Sequence, residues 1–476
     1  MSSLKKKAFD GLIWSSIERF SAQGIQFFLG IILARLLLPE DYGLVGMLAI
    51  FFAISVTIID SGFSTALIQK KNRDEKDFST VFYFNIVVAF VFYLLLFLIA
   101  PLIADFYRQP LLISLTRVIG LTLIINSFAV VQRAKFAINI DFKTQTKASI
   151  FSIIISGIIG IYLAYDGYGV WALVIQELIR STLNIIILWY YSKWLPIEGF
   201  HFDRFKLLFS FGSKLLISGL INTIYDNIYL IIIGKIYSTS SLGFYTRAKQ
   251  LNDFPSSNLT GIIQRVTYPL LSELQDNNDR LKETYRKMIK MTALIIFPLM
   301  IGLAALADPL IRVILTEKWV NTIWMLQLLC FAGMWYPIHA LNLNILYVKG
   351  RSDLFLRLEI IKKTIITLVL VISIPFGIEA MIIGQIFTSY VALIINTYYT
   401  KQIIAYGLFQ QLSDIIKVLL LSFAMGYIIY ITMPLINTSE SKLIVGILEG
   451  AIFYISIAWL FNIGEIKTLP SFIKQK

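Results

Sequence analysis

Long apolar segments separated by short polar breaks follow one another along almost the whole chain. Each segment is about 20 residues long, the length that an α-helix needs to cross the hydrocarbon core of a bilayer. The pattern predicts an all-α membrane protein with about fourteen transmembrane helices. Their predicted spans are 9–34, 42–69, 79–104, 111–131, 147–165, 169–192, 207–234, 243–270, 289–315, 321–348, 355–376, 378–400, 413–435 and 441–463.

A short polar break recurs 200 residues later in the chain. The stretch "IILARLLLPEDYG", which ends at Gly43, aligns without a gap on "IIIGKIYSTSSLG", which ends at Gly243, so that Arg35 falls on Lys235. Two further matches in the same order pair "APLIADFY" around Pro101 with "DPLIRVIL" around Pro309, and "INIDFKT" near Asp141 with "GRSDLFL" near Asp353. Three matches in one order indicate a duplication of six helices.

The duplication predicts how the chain is organised. Residues 1–200 form an N-terminal lobe of helices 1 to 6, residues 201–405 a second lobe of helices 7 to 12, and residues 406–476 hold helices 13 and 14 with a cytoplasmic tail. Because the repeat spans an even number of helices, both lobes have the same orientation. A pseudo-symmetry axis along the membrane normal is therefore expected.

Composition and charge agree with this picture. Hydrophobic residues make up 57% of the chain, charged residues 15%, and the mean hydropathy is +0.75, far from the range of a soluble domain. The net charge of +13 does not indicate nucleic acid, because most of the 42 Lys and Arg residues lie in the loops of one side. That asymmetry predicts that both termini are cytoplasmic. The start, "MSSLKKKAFDGLIW", is interpreted as part of a retained first helix rather than a cleaved signal.

Several kinds of chemistry are disfavoured. A single cysteine, Cys330, excludes an intramolecular disulfide, and only His201 and His339 are available as histidine ligands, so neither a metal site nor a cofactor is expected. No GxxxxGK[ST] phosphate loop occurs, and the loops are too short for a soluble catalytic domain. The longest loop, about 271–290, has the spacing of an amphipathic helix on the inner surface. The chain is not expected to be an enzyme.

Polar residues within the apolar segments indicate where the protein interior lies. A charge at bilayer depth costs about 2.5–3.5 kcal/mol, so it should face protein or a water-filled cavity. Arg19 in helix 1, Lys214 in helix 7 and Arg265 in helix 8 are predicted to converge at one depth, with Arg247 near the outer mouth. Such cations suit an anionic headgroup, since guanidinium binds phosphate oxygens in a bidentate manner. The predicted substrate-binding residues are Arg19, Lys214, Asn222, Arg247, Asn258 and Arg265.

Acidic residues in the same helices leave alternatives open. Arg19 could pair with Glu18 or Asp60, and Lys214 with Asp60, which would make these cations internal salt bridges that hold helices together. Asp60 and Asp226 are each interpreted either as a site for a coupling ion or proton, or as a salt-bridge partner.

The N-terminal segment resembles the opening of a known family. It reads "GLIWSSIERFSAQGIQFFLGIILARLLLPEDYGLVGMLAIFFAISVTIIDSGFSTALIQ" and contains L-A-R-x-L, P-x-x-Y-G and D-S-G-F-x-x-A-L-I-Q. These motifs resemble the Wzx-type polysaccharide flippases, of the superfamily that also holds multidrug and toxin extruders and the lipid II flippase. The resemblance implies two six-helix lobes, alternating access and a substrate of the undecaprenyl-pyrophosphate-linked oligosaccharide class. Cationic cavities are a feature of those flippases.

Three functions are compared on this basis. The first is a flippase for polyprenyl-pyrophosphate-linked oligosaccharide in the bacterial cytoplasmic membrane, serving lipopolysaccharide, capsule or exopolysaccharide synthesis. The alternative on the same fold is an ion-coupled exporter of small cations. A membrane-embedded glycan polymerase or ligase is disfavoured because large outer loops are absent. The expected partners are the lipid-linked oligosaccharide, the bilayer, a glycan polymerase and other polysaccharide-assembly proteins, without nucleic acid, and the protein is expected to be a monomer.

Overall fold

The chain is built from helices throughout the part that the computed structural model describes, which is residues 21–60 and 62–463, and no strand occurs in those ranges. The helices are α1 Ser21–Leu36, α2 Pro39–Asp60, α3 Phe63–Gln69, α4 Glu75–Tyr107, α5 Leu112–Ser127, α6 Val130–Ile138, α7 Phe142–Tyr165, α8 Val170–Ser192, α9 Phe202–Ile236, α10 Thr239–Glu273, α11 Asn278–Ala305, α12 Ala307–Ile314, α13 Thr322–Gly333, α14 Tyr336–Val348, α15 Ser352–Ser373, α16 Ile378–Ile404, α17 Leu408–Thr432 and α18 Ser439–Leu460.

Every predicted apolar segment coincides, within the described ranges, with one helix or with two consecutive helices. Nine spans in those ranges are long and apolar enough to cross a membrane, or ten if α5 and α6, which meet at a bend of 40°, count as one. The protein is thus a multi-pass membrane protein. The total of about fourteen crossings stays a prediction, because the remaining helices are shorter or carry more charge.

Packing divides the chain into two compact units, Met1–Gly243 and Phe244–Lys476. In the first unit α4 packs on α5, α7 on α8, and α9 on α2; in the second, α11 packs on α17 and α15 on α16. The division predicted at residues 200 and 405 is based on the sequence repeat. The boundary between Gly243 and Phe244 is based on the contacts between helices. The repeat-based division therefore stays a prediction.

Loops that the sequence predicts on the outer side lie together at one end of the first unit. Gln109, just after α4, donates from Nε2 to Thr239 Oγ1 at 3.0 Å. Ser240 Oγ donates to Glu40 Oε1 at 2.9 Å, so the loops before α2 and α10 also meet. These contacts agree with a topology in which α2, α4, α9 and α10 all have an end on this side.

Segments that the sequence predicts on the cytoplasmic side meet at the other end of the same unit. Arg204 Nη2 lies 2.9 Å from Asp74 Oδ2. Lys135 Nζ lies 3.2 Å from Glu75 Oε1, and Trp194 Nε1 donates to the second oxygen of Glu75 at 2.6 Å. Each bond joins two different segments for which the charge asymmetry predicts the cytoplasmic side. The cytoplasmic placement itself stays a prediction.

The D-S-G-F motif forms a break between two helices. Gly62 lies between α2 and α3 with φ +72°, a left-handed conformation that glycine adopts without steric cost. Phe63 and Leu67 on α3 are fully buried in an apolar cluster that includes Val81 of α4 and Val131 of α6. Burial in this cluster accounts for the apolar residues Phe63 and Leu67 that follow the glycine.

The loop predicted as a surface amphipathic helix is different in the structure. Residues 278–290 are the first turns of α11, which runs without a break from Asn278 to Ala305. Leu281, Tyr285 and Ile289 are all fully buried inside the second unit. The prediction of a helix lying on the membrane surface is wrong, because the apolar face of this segment is covered by protein rather than by lipid headgroups.

A buried amide pair joins α14 to α17 in the second unit. Gln411 Nε2 donates to Asn342 Oδ1 at 2.9 Å, and Asn342 Nδ2 donates back to Gln411 Oε1 at 3.2 Å. Thr400 of α16 donates to the carbonyl oxygen of Tyr406 at 2.9 Å and lies 3.3 Å from Gln411 Nε2. Three helices are therefore connected by polar groups whose hydrogen bonds are made within the protein.

The third pair of repeat positions lies at the start of equivalent helices. Asp141 precedes α7 and accepts hydrogen bonds from the Thr144 backbone N–H at 3.1 Å and hydroxyl at 2.7 Å. Asp353 lies in the first turn of α15, where hydrogen bonds from Arg351 lower the pKa of its carboxyl to about 2. Each acid stabilises a helix N-terminus, where a negative charge is favoured.

Candidate functional site

The predicted polar stripe of α9 lies on an exposed face of the first unit. Asn222 and Asp226 are both exposed. Their neighbour Thr223 faces α2 instead, where its hydroxyl lies 3.0 Å from that of Thr57. Asn222 and Asp226 are thus more exposed than Thr223, and their place in the lining of a cavity stays a prediction. Lys214 lies on the same helix, but its side chain is outside the described part.

The side chain of Arg247 on α10 contacts other residues of the second unit. It is only 7% exposed, its Nη1 donates to Gln250 Oε1 at 2.7 Å, and its guanidinium carbon lies 5.9 Å from the centroid of the Trp319 ring. On the same helix, Lys249 pairs with Asp253 at 2.7 Å. These contacts orient both cations.

Most polar side chains in the middle of α10 form hydrogen bonds with the helix itself. Asn258 is 9% exposed and donates from Nδ2 to the Phe254 carbonyl at 2.7 Å. Ser256 donates to the carbonyl of Asn252 at 3.0 Å, and Thr260 to that of Ser256 at 2.7 Å. This back-bonding to residue i−4 explains how a helix with so few apolar residues is accommodated in a membrane protein.

Arg265 differs from the other cations of α10. Its side chain is exposed, and within residues 21–60 and 62–463 it has no hydrogen bond or ion pair. Arg19, the proposed neighbour in helix 1, lies outside the described residues. The convergence of Arg19, Lys214 and Arg265 at one depth therefore stays a prediction.

Asp60, at the end of α2, accepts a hydrogen bond from Ser64 Oγ at 2.6 Å. Its predicted salt bridges with Arg19 or Lys214 involve side chains that are not described, so both of its interpretations remain open. No group of three or more His, Cys, Asp and Glu residues that could hold a metal ion is found among the described residues. Cys330 is buried.

The two copies of the recurring hairpin make reciprocal contacts. A Cβ added to Gly43 would lie 2.0 Å from the carbonyl oxygen of Thr239, and a Cβ added to Gly243 would lie 1.8 Å from that of Pro39. Thr239 and Pro39 are themselves equivalent positions of the repeat. The first turns of α2 and α10 therefore cross in backbone contact at two equivalent points.

A pocket of about 440 Å³ lies beside this crossing, at the predicted outer end of the first unit. Its wall comes from the ends of α2, α4, α9 and α10. The lining residues are Glu40, Leu44, Met47, Tyr107, Arg108, Gln109, Gly234, Lys235, Ile236, Tyr237, Ser238, Thr239 and Ser240.

The charged residues of this pocket differ in how they are held. Lys235 donates to the carbonyl of Phe106 and lies 4.3 Å above the Phe106 ring. Glu40 accepts from Ser240. Arg108 is exposed and has no side-chain partner among the residues that the structure describes. The hydroxyl of Tyr107, a residue that is 5% exposed, also has no partner in that part of the chain.

The sequence does not predict this pocket. The loops before α2, after α4 and before α10 are each short and polar, but none of them alone encodes the side-by-side packing of α2, α4 and α9. An ionic cluster on α15 was also not predicted, in which Glu359 pairs with Lys362 at 2.5 Å and lies 3.7 Å from Lys363. The i, i+3 and i, i+4 spacing of these residues was the available signal.

Comparison with known proteins gives consistent matches. The profile of a family described as polysaccharide biosynthesis protein matches residues 32–324. Teichuronic acid biosynthesis protein TuaB of Bacillus subtilis (strain 168) is 28% identical over 466 residues, covering 96% of each chain. Lipopolysaccharide biosynthesis protein WzxC of Escherichia coli (strain K12) is 23% identical over 362 residues, covering 76% of this chain and 74% of that one.

A solved structure shares the fold over nearly the whole chain. Lipid II flippase MurJ, in an inward closed conformation, aligns with a TM-score of 0.78 and 17% sequence identity, covering 94% of this chain and 98% of that chain. At this identity the likeness is one of fold, since function depends on the site rather than on the fold.

Proposed function

Because the chain belongs to the polysaccharide biosynthesis protein family, we propose that it is a flippase that moves a polyprenyl-pyrophosphate-linked oligosaccharide across the cytoplasmic membrane by alternating access. Family membership confirms the resemblance to Wzx-type proteins that the block around Arg35 indicates. The names of the relatives, which concern lipopolysaccharide and teichuronic acid biosynthesis, support a substrate of the surface-polysaccharide class.

The observation that carries the proposal is the exposed guanidinium of Arg265, on a helix whose two other cations, Arg247 and Lys249, have side-chain partners. A cation without a protein partner is costly inside a membrane protein unless it faces water or a ligand of opposite charge. A pyrophosphate is such a ligand, and arginine binds it with paired hydrogen bonds. Together with Arg19 and Lys214 on other helices, Arg265 would form the cationic cavity.

Replacement of Arg265 tests the cationic site. In a strain whose only copy carries Arg265→Ala, we expect surface polysaccharide to fall about tenfold, since one charge-assisted interaction of about 1.5–3 kcal/mol with the headgroup is lost. The glycan is measured at the cell surface, together with the lipid-linked intermediate that accumulates inside. Arg19→Ala and Lys214→Ala are expected to behave in the same way.

The matched control is Arg357→Ala, which removes an exposed arginine from another helix of the same unit, α15. Protein levels in the membrane are compared by immunoblot for all variants. Normal export from well-expressed Arg19, Lys214 and Arg265 variants would contradict the assignment of the cationic site.

Ion coupling is proposed at Asp226 or Asp60, the two acids of the predicted interior. Replacement by asparagine removes the charge while keeping the size. If one of them binds the coupling ion or proton, its variant should lose the dependence of transport on the ion gradient when flipping is followed in vesicles with an imposed gradient. Assembly with a glycan polymerase and the monomeric state remain expectations from the sequence.

A further inference from the structure

The outer pocket beside the hairpin crossing has the composition of a site for a hydrophilic ligand. Pockets for drug-like molecules are lined predominantly by apolar side chains with few polar groups. Here the lining is mostly polar and offers hydroxyl groups from Ser238 and Ser240, the amide of Gln109 and the carboxylate of Glu40. Its volume of about 440 Å³ falls within the 300–1,000 Å³ typical of ligand pockets.

Two residues that line the pocket carry side-chain groups without protein partners. The Arg108 guanidinium has five donors and no side-chain partner among the described residues. The hydroxyl of Tyr107, on the adjacent residue, is equally without a partner in that part of the chain although the residue is more than nine-tenths buried. Buried polar groups in proteins are nearly always hydrogen-bonded, and an exception calls for an explanation.

The charge of the pocket indicates an acidic ligand. Arg108 and Lys235 contribute two cations, and Glu40 is the one acid among the lining residues. Because Lys235 is already held by the Phe106 carbonyl and Glu40 by Ser240, Arg108 is the cation that is available to a ligand carboxylate. The remaining hydroxyl and amide groups match the hydroxyls of a sugar, and Tyr107 and Tyr237 supply rings beside them.

We propose that this pocket is a saccharide subsite at the outer end of the protein, in which Arg108 binds the carboxylate of an acidic sugar. The inference rests on the proposed flippase function, since the sugar would belong to the glycan of the transported lipid. The ends of α2, α4, α9 and α10 form the subsite.

Binding of free sugars to the full-length protein in lipid nanodiscs tests the proposal. Methyl glucuronide, methyl glucoside and inorganic pyrophosphate are used as probes, with saturation-transfer NMR as the readout for the sugars and competition as the readout for pyrophosphate. We expect methyl glucuronide to bind more tightly than methyl glucoside. Arg108→Gln should weaken the glucuronide about tenfold, the loss of one charge-assisted bond, and leave the glucoside unchanged.

Two further variants sharpen the comparison. Arg117→Gln is the matched control, because Arg117 belongs to the same unit but lies 4.2 Å over the Phe97 ring and does not line the pocket; it should bind both sugars as the unmodified protein does. Ser240→Trp adds a large ring at the pocket wall and should abolish binding of both sugars. A thermal unfolding measurement on each variant checks that it is folded.

Equal glucuronide binding by the unmodified protein and by Arg108→Gln would overturn the proposal, as would no detectable binding of either sugar. Displacement of glucuronide by pyrophosphate in an Arg108-dependent manner would also overturn it, since the pocket would then take the headgroup. Because the probes carry no lipid, these outcomes do not test the flippase proposal. That proposal is tested by the export experiment with the Arg265 variant. Loss of export in the Arg265 variant and loss of sugar binding in the Arg108 variant are thus separate results.

Discussion

At the scale of single residues, two glycines have the most restricted surroundings. Gly43 and Gly243 occupy equivalent positions of the repeat, and each lies against a backbone carbonyl of the other copy. A side chain can often rotate away from a new methyl group, but a carbonyl in the first turn of a helix moves only with its helix. The glycine common to both hairpins, which the sequence marks by its recurrence, is therefore explained by a close backbone approach.

Replacement of either glycine by alanine should destabilise the protein. Gly43→Ala places Cβ 2.0 Å from Thr239 O, and forcing an extra group into a packed position costs about 1–3 kcal/mol. We expect a lower thermal unfolding temperature for the protein purified in detergent. Gly24→Ala is the control: nothing lies within 4 Å of its added Cβ, so this helical position should gain about 0.5–1 kcal/mol. An unchanged unfolding temperature for Gly43→Ala would mean that the two hairpins separate readily.

At the scale of helices, the positions of the apolar segments could be predicted and their breaks could not. A run of apolar residues specifies a helix in a membrane because every backbone group must be satisfied within the segment. The break at Gly62 and the bend between α5 and α6 depend on which neighbours pack against each side. The N-terminal turns of α11 show the same limit, since the burial of Tyr285 is decided by other helices.

The amide pair between α14 and α17 allows a prediction about helix association. Gln411→Leu removes the 2.9 Å donor of the buried Asn342 Oδ1 atom and leaves it only the Thr400 hydroxyl at 3.4 Å. A poorly satisfied buried group costs up to about 1–3 kcal/mol. The double variant Asn342→Leu/Gln411→Leu should recover part of that loss, because both polar groups are then removed. Thermal unfolding in detergent is the measurement. Gln402→Leu, at an exposed position of α16, is the control, and equal stability of all three would contradict a role for the pair.

At the scale of the whole molecule, the charge asymmetry of the loops predicts which segments share a side. The bonds from Gln109 to Thr239 and from Arg204 to Asp74 follow that grouping. The family could be recognised from the helix 1 to 2 block, and the fold with it. The candidate site could be predicted only as a set of helix faces, because the position of Arg247 beside Trp319 depends on tertiary contacts. Asn258 could equally have faced a ligand, whereas its amide donates to the Phe254 carbonyl of its own helix.

The orientation of the chain gives a last prediction. Cys330 is the single cysteine of the chain and is buried, so Cys330→Ala provides a background for new cysteines. Ser238→Cys should react with a membrane-impermeant maleimide added to intact cells, whereas Lys282→Cys should react only after permeabilisation. The reverse pattern would invert the predicted topology and would place the saccharide subsite on the cytoplasmic side.

The reciprocal contact of the hairpins also bears on the history of the chain. A contact in which Gly43 meets the first helical residue of the other copy, and Gly243 meets its counterpart in return, has the self-complementary form of an interface between two identical subunits. In a dimer of a six-helix ancestor, a single glycine position, present once in each subunit, would supply both contacts. If the predicted duplication arose by fusion, each glycine would be inherited separately, and one copy could change only if the opposing helix end moved with it.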